Sequence, residues 1–430
     1  NYTLDGKYSV SGSIRTDASS RFGKGKRWGT FPGISAAWLL SEEPFFRSNK
    51  LDNLKLRVSY GLAGNQSISD YASKATYGSA NYGDEGGIAP AGLGNPDLGW
   101  ERTKELDIGV DLSLWQGRMS VTADYYHKTT TDLLVNRPIT TTSGFYSIYT
   151  NVGSVLNKGF EFVLASDIIR ARTPSALGFN ALLNLSFNKN RITGLYQNQG
   201  FSEGERGINR VDVGHPIGEF YAYDFVGVDP ATGDALYRNA AGESVTYDLL
   251  TTADRTFIGN PYPNFTGGLT TTLTWNRFDF KAFFPFSQGG KIFNAVRIFA
   301  ASGGYYFDNE YADQLARWQK PGDVTDVPRA SYDGTSGARL VSSRFIEDGS
   351  YFRLQDLTVG YNLPTGFLKS TGFHDARIYL TAHNLFTITK YKGYDPDVNS
   401  NGNFDNISIA TDFYAYPTAR VFSFGVQAGW

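Results

Sequence analysis

Cysteine is absent from the 430 residues, and only one methionine is present. Without a thiol the chain can hold no disulfide framework, no thiolate-bound metal and no cysteine nucleophile. An excess of one charge is lacking as well: 40 basic residues stand against 42 acidic ones, a net charge of -2. No Lys-rich or Arg-rich arm breaks that balance, so nucleic acid is not an expected partner. No stretch approaches the roughly 18 consecutive apolar residues that a membrane helix needs, which excludes a helical membrane protein. Spacings that carry chemistry are also missing. His127, His215, His374 and His383 fall in separate segments and read as strand and loop residues rather than metal ligands. No serine is marked as a nucleophile on a strained turn. The Gly- and Lys-bearing stretches at 23–27 and 289–291 lack phosphate-loop spacing. Neither an enzyme nor a bound cofactor is therefore expected.

What is abundant is aromatic and turn-forming: 31 Phe, 27 Tyr, 7 Trp and 48 Gly. That is the composition of sheets and turns, and the order of residues agrees. Between Glu101 and Trp115, the apolar Leu106, Ile108, Val110, Leu112 and Leu114 alternate with Glu105, Asp107, Asp111 and Ser113. A strand turns successive side chains to opposite faces, so one face suits lipid and the other water. About twelve such segments of about ten or more residues can be placed, the length a tilted membrane strand needs. They begin near residues 2, 30, 54, 101, 117, 155, 176, 263, 277, 351, 375 and 417.

Their joins alternate in length. Short ones fall at 115–118 and 276–277 and near 43–52, 170–175 and 364–374; long ones fall near 16–29, 65–100, 134–150, 191–262, 290–350 and 391–416. Short turns on one side and long loops on the other are the signature of a transmembrane antiparallel β-barrel, with the long loops extracellular and the short turns periplasmic. Closure is demanded because an unpaired backbone group in hydrocarbon costs several kcal/mol. A soluble sandwich or propeller also alternates with period two, but its strands average only about 5 to 6 residues. One helix is expected in the loops, over Tyr305 to Lys320, with Tyr311, Leu315 and Trp318 on one face. The chain begins at Asn1, already in a strand, so we expect residues 1–430 to be a portion of a longer polypeptide.

An ordered set of motifs resembles the SusC/RagA family of TonB-dependent transporters along nearly the whole chain. It runs from RTDASSRFG (Arg15 to Gly23) and GTFPGISAAWLLSEEPFF (Gly29 to Phe46) through LRVSYGLAGNQ (Leu56 to Gln66) to NPDLGWERTKELDIGV (from Asn95). NVGSVLNKGFEF (Asn151 to Phe162), VGHPIGEFYAYDFVGVD (Val213 to Asp229), IGNPYPNFTGGL (Ile258 to Leu269), DGSYFRLQDLTVGYNLP (Asp348 to Pro364) and the closing YPTARVFSFGVQAGW follow. The resemblance implies that this is the C-terminal part of a barrel of about 22 strands. The signal peptide, the segment that contacts TonB and the plug would lie outside this chain. It further implies nutrient import across the outer membrane of a Gram-negative bacterium, a SusD-like surface lipoprotein as partner, and an oligosaccharide or peptide as substrate. The alternatives are a passive porin-like or anchoring barrel and a soluble surface-binding β-protein. One departure concerns the loop after Asp229, where many relatives carry an acidic segment that looks calcium-binding. Here Asp229, Asp234, Asp248 and Asp254 are scattered without alternate-carboxylate spacing.

Site residues follow from these readings. Lys55, Arg57, Glu105, Asp107, Asp111 and Asp124 are expected on the inner face, in contact with the plug more than with substrate. Loop aromatics Tyr77, Tyr82, Tyr146, Tyr149, Tyr305, Tyr306 and Phe307 are the candidates for substrate contact, because a planar ring offers area at little entropic cost. Phe422, Phe424 and Trp430 form an aromatic-ended last strand of the kind that serves as a barrel-assembly signal. Asp397, Asn399, Asn401 and Asp405 resemble the opening of a calcium loop, but Ser408 stands where a bidentate Glu is needed, so a solvated turn is the favoured reading.

Overall fold

The computed structural model describes residues 1–430 apart from 47, 174, 369–371 and 401–406. Thirteen strands of one antiparallel sheet follow each other in chain order. They are β1 (Tyr2–Leu4), β2 (Tyr8–Ala18), β3 (Trp28–Leu39), β4 (Leu51–Asn65), β5 (Glu101–Leu114), β6 (Met119–Thr131) and β7 (Ser154–Ile169). Then come β8 (Gly178–Gly194), β9 (Phe265–Trp275), β10 (Phe278–Gln288), β11 (Tyr351–Asn362), β12 (Asp375–Thr389) and β13 (Val421–Gly429). The twelve long segments read from the alternation are β2 to β13. The first segment, expected from near residue 2, is broken in two: the three-residue β1 is joined to β2 by a turn in which Asp5 and Gly6 have φ of 52° and 70°. Two successive positive φ angles make the tight hairpin whose twist matches the strands, and Gly117 serves the β5–β6 turn at φ 71°.

The chain forms two compact units, residues 1–166 with 186–199 and residues 167–185 with 200–430. In the first, register converts the alternation into rows. Val10, Ala36, Val58, Ile108, Tyr125 and Phe160 stand side by side across six strands. The next row is Ser9, Ala37, Arg57, Gly109, Asp124 and Glu161. In the second unit, Leu273, Phe280, Val359, Leu380 and Phe424 form an apolar row beside Thr272, Lys281, Thr358, Thr381 and Ser423. Most of the apolar-row side chains are exposed, Phe160 at 59% and Phe424 at 72%. A sandwich would bury such a face against a second sheet, so the soluble-sandwich reading is set aside. An exposed apolar surface of this extent marks an interaction surface.

Cores lie in the loops instead. In the first unit Phe22, Phe31, Leu98 and Trp100 are buried together, with Leu62, Ile68 and Tyr149 packed around them. This explains the RFG and NPDLGW motifs. The Gly23 amide donates to the Leu98 carbonyl at 3.0 Å, and a Cβ on Gly23 would stand 1.6 Å from the Pro96 carbonyl oxygen, so only glycine allows the two loops to meet. In the second unit Ile208, Phe220, Phe293, Ile298 and Phe345 form a core drawn from two long joins, with Ala410 of a third packed against it. Those joins carry short strands of their own: Asn209–Val211, Glu219–Ala222 and Thr256–Gly259 pair in one sheet, and Lys291–Asn294 pairs with both Ile346–Asp348 and Thr411–Asp412 in another.

The helix expected over Tyr305 to Lys320 does not form; a 3-10 turn at Ala312–Ala316 is all the regular structure there, and Leu315 is exposed. Tertiary hydrogen bonds divert the segment. Glu310 accepts from Ser302 Oγ and the Gly304 amide, the Tyr311 amide donates to the Ala300 carbonyl, and Trp318 Nε1 donates to the Pro230 carbonyl. A short helix holds little stability of its own against such partners.

Candidate functional site: a charged sheet face and an aromatic loop assembly

The charged residues read from β4 to β6 do come together. Arg57 Nε and Nη2 donate to Asp111 at 2.8 and 3.1 Å, and Nη2 also reaches Asp124 at 2.8 Å. Asp124 sits two strands from Arg57, with Gly109 between them in the register. A Cβ there would lie 2.1 Å from Asp124 Oδ1 and 2.6 Å from Arg57 Nη2. The glycine is thus a window through which the guanidinium crosses. Thr122 Oγ1 donates to Asp111 at 3.2 Å, and Glu105 pairs with Lys128 at 3.7 Å. Asp107 lies two rows on, on the same face, in register with Ser59 and Tyr126. Lys55 stands opposite Asp111 but makes no ion pair among the described residues.

The second unit repeats the device, which sequence reasoning missed. Arg377 Nε donates to Asp279 at 3.0 Å over Gly360, whose Cβ would stand 2.4 Å from the Arg377 guanidinium. The only signal in the sequence is a glycine interrupting an otherwise regular strand, which marks a close approach.

Loop polar groups form a second network. Arg297 is nearly buried between Asp313 and Glu347, the latter at 3.6 Å, with its guanidinium over the Tyr311 ring. Tyr391 donates to Asp412 at 2.7 Å, and burial together with that carboxylate raises its phenol well above the usual range. Arg353, 5% exposed, pairs with Asp395, which also accepts from Thr418 Oγ1 at 2.9 Å. These pairs were not legible, because Arg297–Asp313, Tyr391–Asp412 and Arg353–Asp395 join residues 16, 21 and 42 positions apart with no periodic pattern between them.

The loop aromatics divide. Tyr77 and Tyr82 stand exposed on a separate hairpin, Thr76–Tyr82 with Glu85–Gly92, and Tyr146 is exposed on another loop. Tyr149 instead packs against the Phe22 and Trp100 cluster. Tyr306 packs against the second unit's core, Tyr305 meets it edge-on at 4.8 Å, and Phe307 is 95% exposed. Phe422 and Phe424 lie exposed on β13, and Trp430 is exposed just past its end.

No group of three metal-ligating side chains occurs among the described residues. Of the calcium-loop candidates, Asn401 and Asp405 lie outside the described residues, and the Asp397 amide donates to Asp395 Oδ1 at 2.9 Å. In the loop after Asp229 three of the four carboxylates are held by other protein groups. Asp229 accepts from the Ala231 amide at 2.8 Å and Thr232 Oγ1 at 3.0 Å, and Asp234 from Arg329 at 2.8 Å. Asp254 accepts from the Ala240 amide at 2.7 Å and from Thr251, which lowers its carboxyl below the usual range.

Residues 1–385 match the family described as TonB dependent receptor-like, beta-barrel. TonB-dependent receptor P3 of Formosa agariphila is 35% identical, over 99% of this chain and 44% of its own length. TonB-dependent receptor SusC of Bacteroides thetaiotaomicron is 29% identical, over 99% of this chain and 42% of its own. A solved structure of the RagAB peptide transporter superimposes with a TM-score of 0.87 at 28% identity, covering 99% of this chain and 46% of that one. The chain thus spans less than half the length of the relatives it matches. With the one-sided apolar rows, the charged row alternating with them and the folded long loops, these likenesses establish that the chain belongs to the TonB-dependent receptor-like β-barrel family, among its SusC- and RagA-like members.

Proposed function

We propose that the protein is an energy-coupled importer that carries a peptide or oligosaccharide across the outer membrane of a Gram-negative bacterium. The carrying observation is the superposition, at a TM-score of 0.87 over 99% of the chain, on a transporter of peptides. In this reading the exposed apolar rows face lipid and the Arg57 and Arg377 nodes line the wall against a plug. A SusD-like lipoprotein closes over the folded loops, and TonB acts through a region outside residues 1–430. The work is transport and involves no catalysis and no resident cofactor.

The test is uptake of labelled peptide and oligosaccharide mixtures by cells with and without the gene. Gene-dependent uptake that a protonophore abolishes supports import. Uptake indifferent to the protonophore points to a passive barrel, and recovery of the native protein without detergent points to a soluble binding protein; either result refutes the proposal.

A further inference from the structure

Arg339 carries a charge that the fold leaves uncompensated. Its guanidinium lies 3.9 Å from the centroid of the Tyr305 ring, a close cation–π stack, and makes no ion pair among the described residues. The carboxylate next to Gly334 is committed elsewhere. Asp333 turns into its own loop and accepts from Ser331 Oγ, the Thr335 amide and Thr335 Oγ1 at 2.5, 3.1 and 2.7 Å.

The surroundings are built rather than loose. Tyr306 meets Tyr305 edge-on and is itself packed against the loop core, so the shelf under Arg339 is anchored. Gly334 keeps the turn close: a Cβ there would stand 2.9 Å from the Tyr305 ring and 3.1 Å from Arg339 Nε. In the chain between Tyr306 and Arg339, Phe307 and Tyr332 form an edge-to-face pair at 6.4 Å, and they are 95% and 76% exposed. Two large rings held in solvent in the same loop as a stacked guanidinium without an ion pair match a solute with a flat or apolar body and an anionic oxygen pair. The planar fork of arginine suits a carboxylate in particular.

We propose that Arg339, held by Tyr305 and flanked by Phe307 and Tyr332, is a subsite for a carboxylate carried by the transported solute. The proposal rests on the import reading and narrows its substrate class to acidic oligomers. The carboxylate has two sources, a uronic-acid sugar or an acidic peptide.

The experiment measures binding to the purified full-length receptor with its lipoprotein, at low salt, using hexagalacturonate and a glutamate-rich hexapeptide, each beside its methyl ester. One acid should bind at least about tenfold tighter than its ester, and which one identifies the source. R339Q should bring that ratio close to one, R339K, which keeps the charge without the fork, should restore only part of it, and F307A should weaken acid and ester alike. Equal binding of acid and ester by the unaltered protein, absence of binding by both acids, or an unchanged ratio in R339Q overturns the subsite. Protonophore-insensitive uptake would sink the import reading while leaving this ratio as it is, so the two failures are distinguishable.

Discussion

Replacing Gly109 with alanine tests whether a missing side chain is what lets Arg57 reach across two strands. The new Cβ would lie 2.1 Å from Asp124 Oδ1 and 2.6 Å from Arg57 Nη2, so one of them must retreat. The contact given up is a 2.8 Å charged hydrogen bond between side chains 30% and 19% exposed. Hydrogen bonds to charged groups contribute about 1.5–3 kcal/mol and fully exposed pairs about 0.2–1, so about 1–2 kcal/mol suits this half-buried one. Removing a glycine from a strand returns about 0.5–1 kcal/mol. Gly109→Ala should therefore destabilise by about 0.5–1 kcal/mol net. In an Asp124→Ala background the tighter clash is gone and Arg57, no longer held toward Asp124, can withdraw from the added carbon while keeping Asp111, so the same substitution should cost less by about the lost Asp124 contact. Gly12→Ala, where nothing lies within 4 Å of the added carbon, is the control and should not destabilise. Urea midpoints of the full-length receptor in detergent, compared at unchanged slope, give the double-mutant cycle. Strict additivity, with coupling below about 0.5 kcal/mol, would refute the window argument.

Four further outcomes follow from the loops and the last strand. Asp395→Ala strands Arg353, which is 5% exposed, and should destabilise the loop core by about 3–5 kcal/mol; hydrogen exchange across 291–294 and 411–412 should rise by orders of magnitude, and unchanged protection would count against the pair. Hydrogen bonds from Ser331 and Thr335 hold the Asp333 carboxyl down to about 2. A depressed acid stabilises above its unfolded pKa and loses that contribution as pH falls through the folded one, so protection of the 331–335 turn should hold from neutrality to about pH 4 and decline toward about pH 2. Deleting Trp430 should reduce the heat-modifiable, assembled barrel, and equal amounts would remove the assembly role of the last strand. Calcium titrated calorimetrically should evolve no heat at the 397–405 loop; a saturable heat lost in Asp397→Ala would restore the metal reading.

The long strands were legible because every second residue repeats one decision, apolar or polar, and twelve segments repeat it together. Leu106 to Leu114 could not be read otherwise. Loop architecture was not legible, since strands such as Asn209–Val211 and Lys291–Asn294 are too short for a period to show, and the second owes its pairing to partners far away in sequence. The helix misreading has the same origin: Tyr311 and Trp318 have suitable spacing, but Ala300 and Pro230 claim their hydrogen bonds. For the charged face, the sequence identified Arg57, Asp111 and Asp124 as neighbours on one side. It could not tell that Gly109 opens the path between two of them, because that depends on the register of three strands at once.

Lys291–Asn294 and Thr411–Asp412 lie parallel, with Phe293 opposite Thr411 and Asn294 opposite Asp412. More than a hundred residues of intervening chain must be in place before that ladder can close. Contacts so distant along the chain form late and slowly. The loop core of the second unit is accordingly the last part to mature: Phe293 and its neighbours wait for Thr411 and Asp412, and a chain interrupted before them would carry its earlier long strands with that core unfinished.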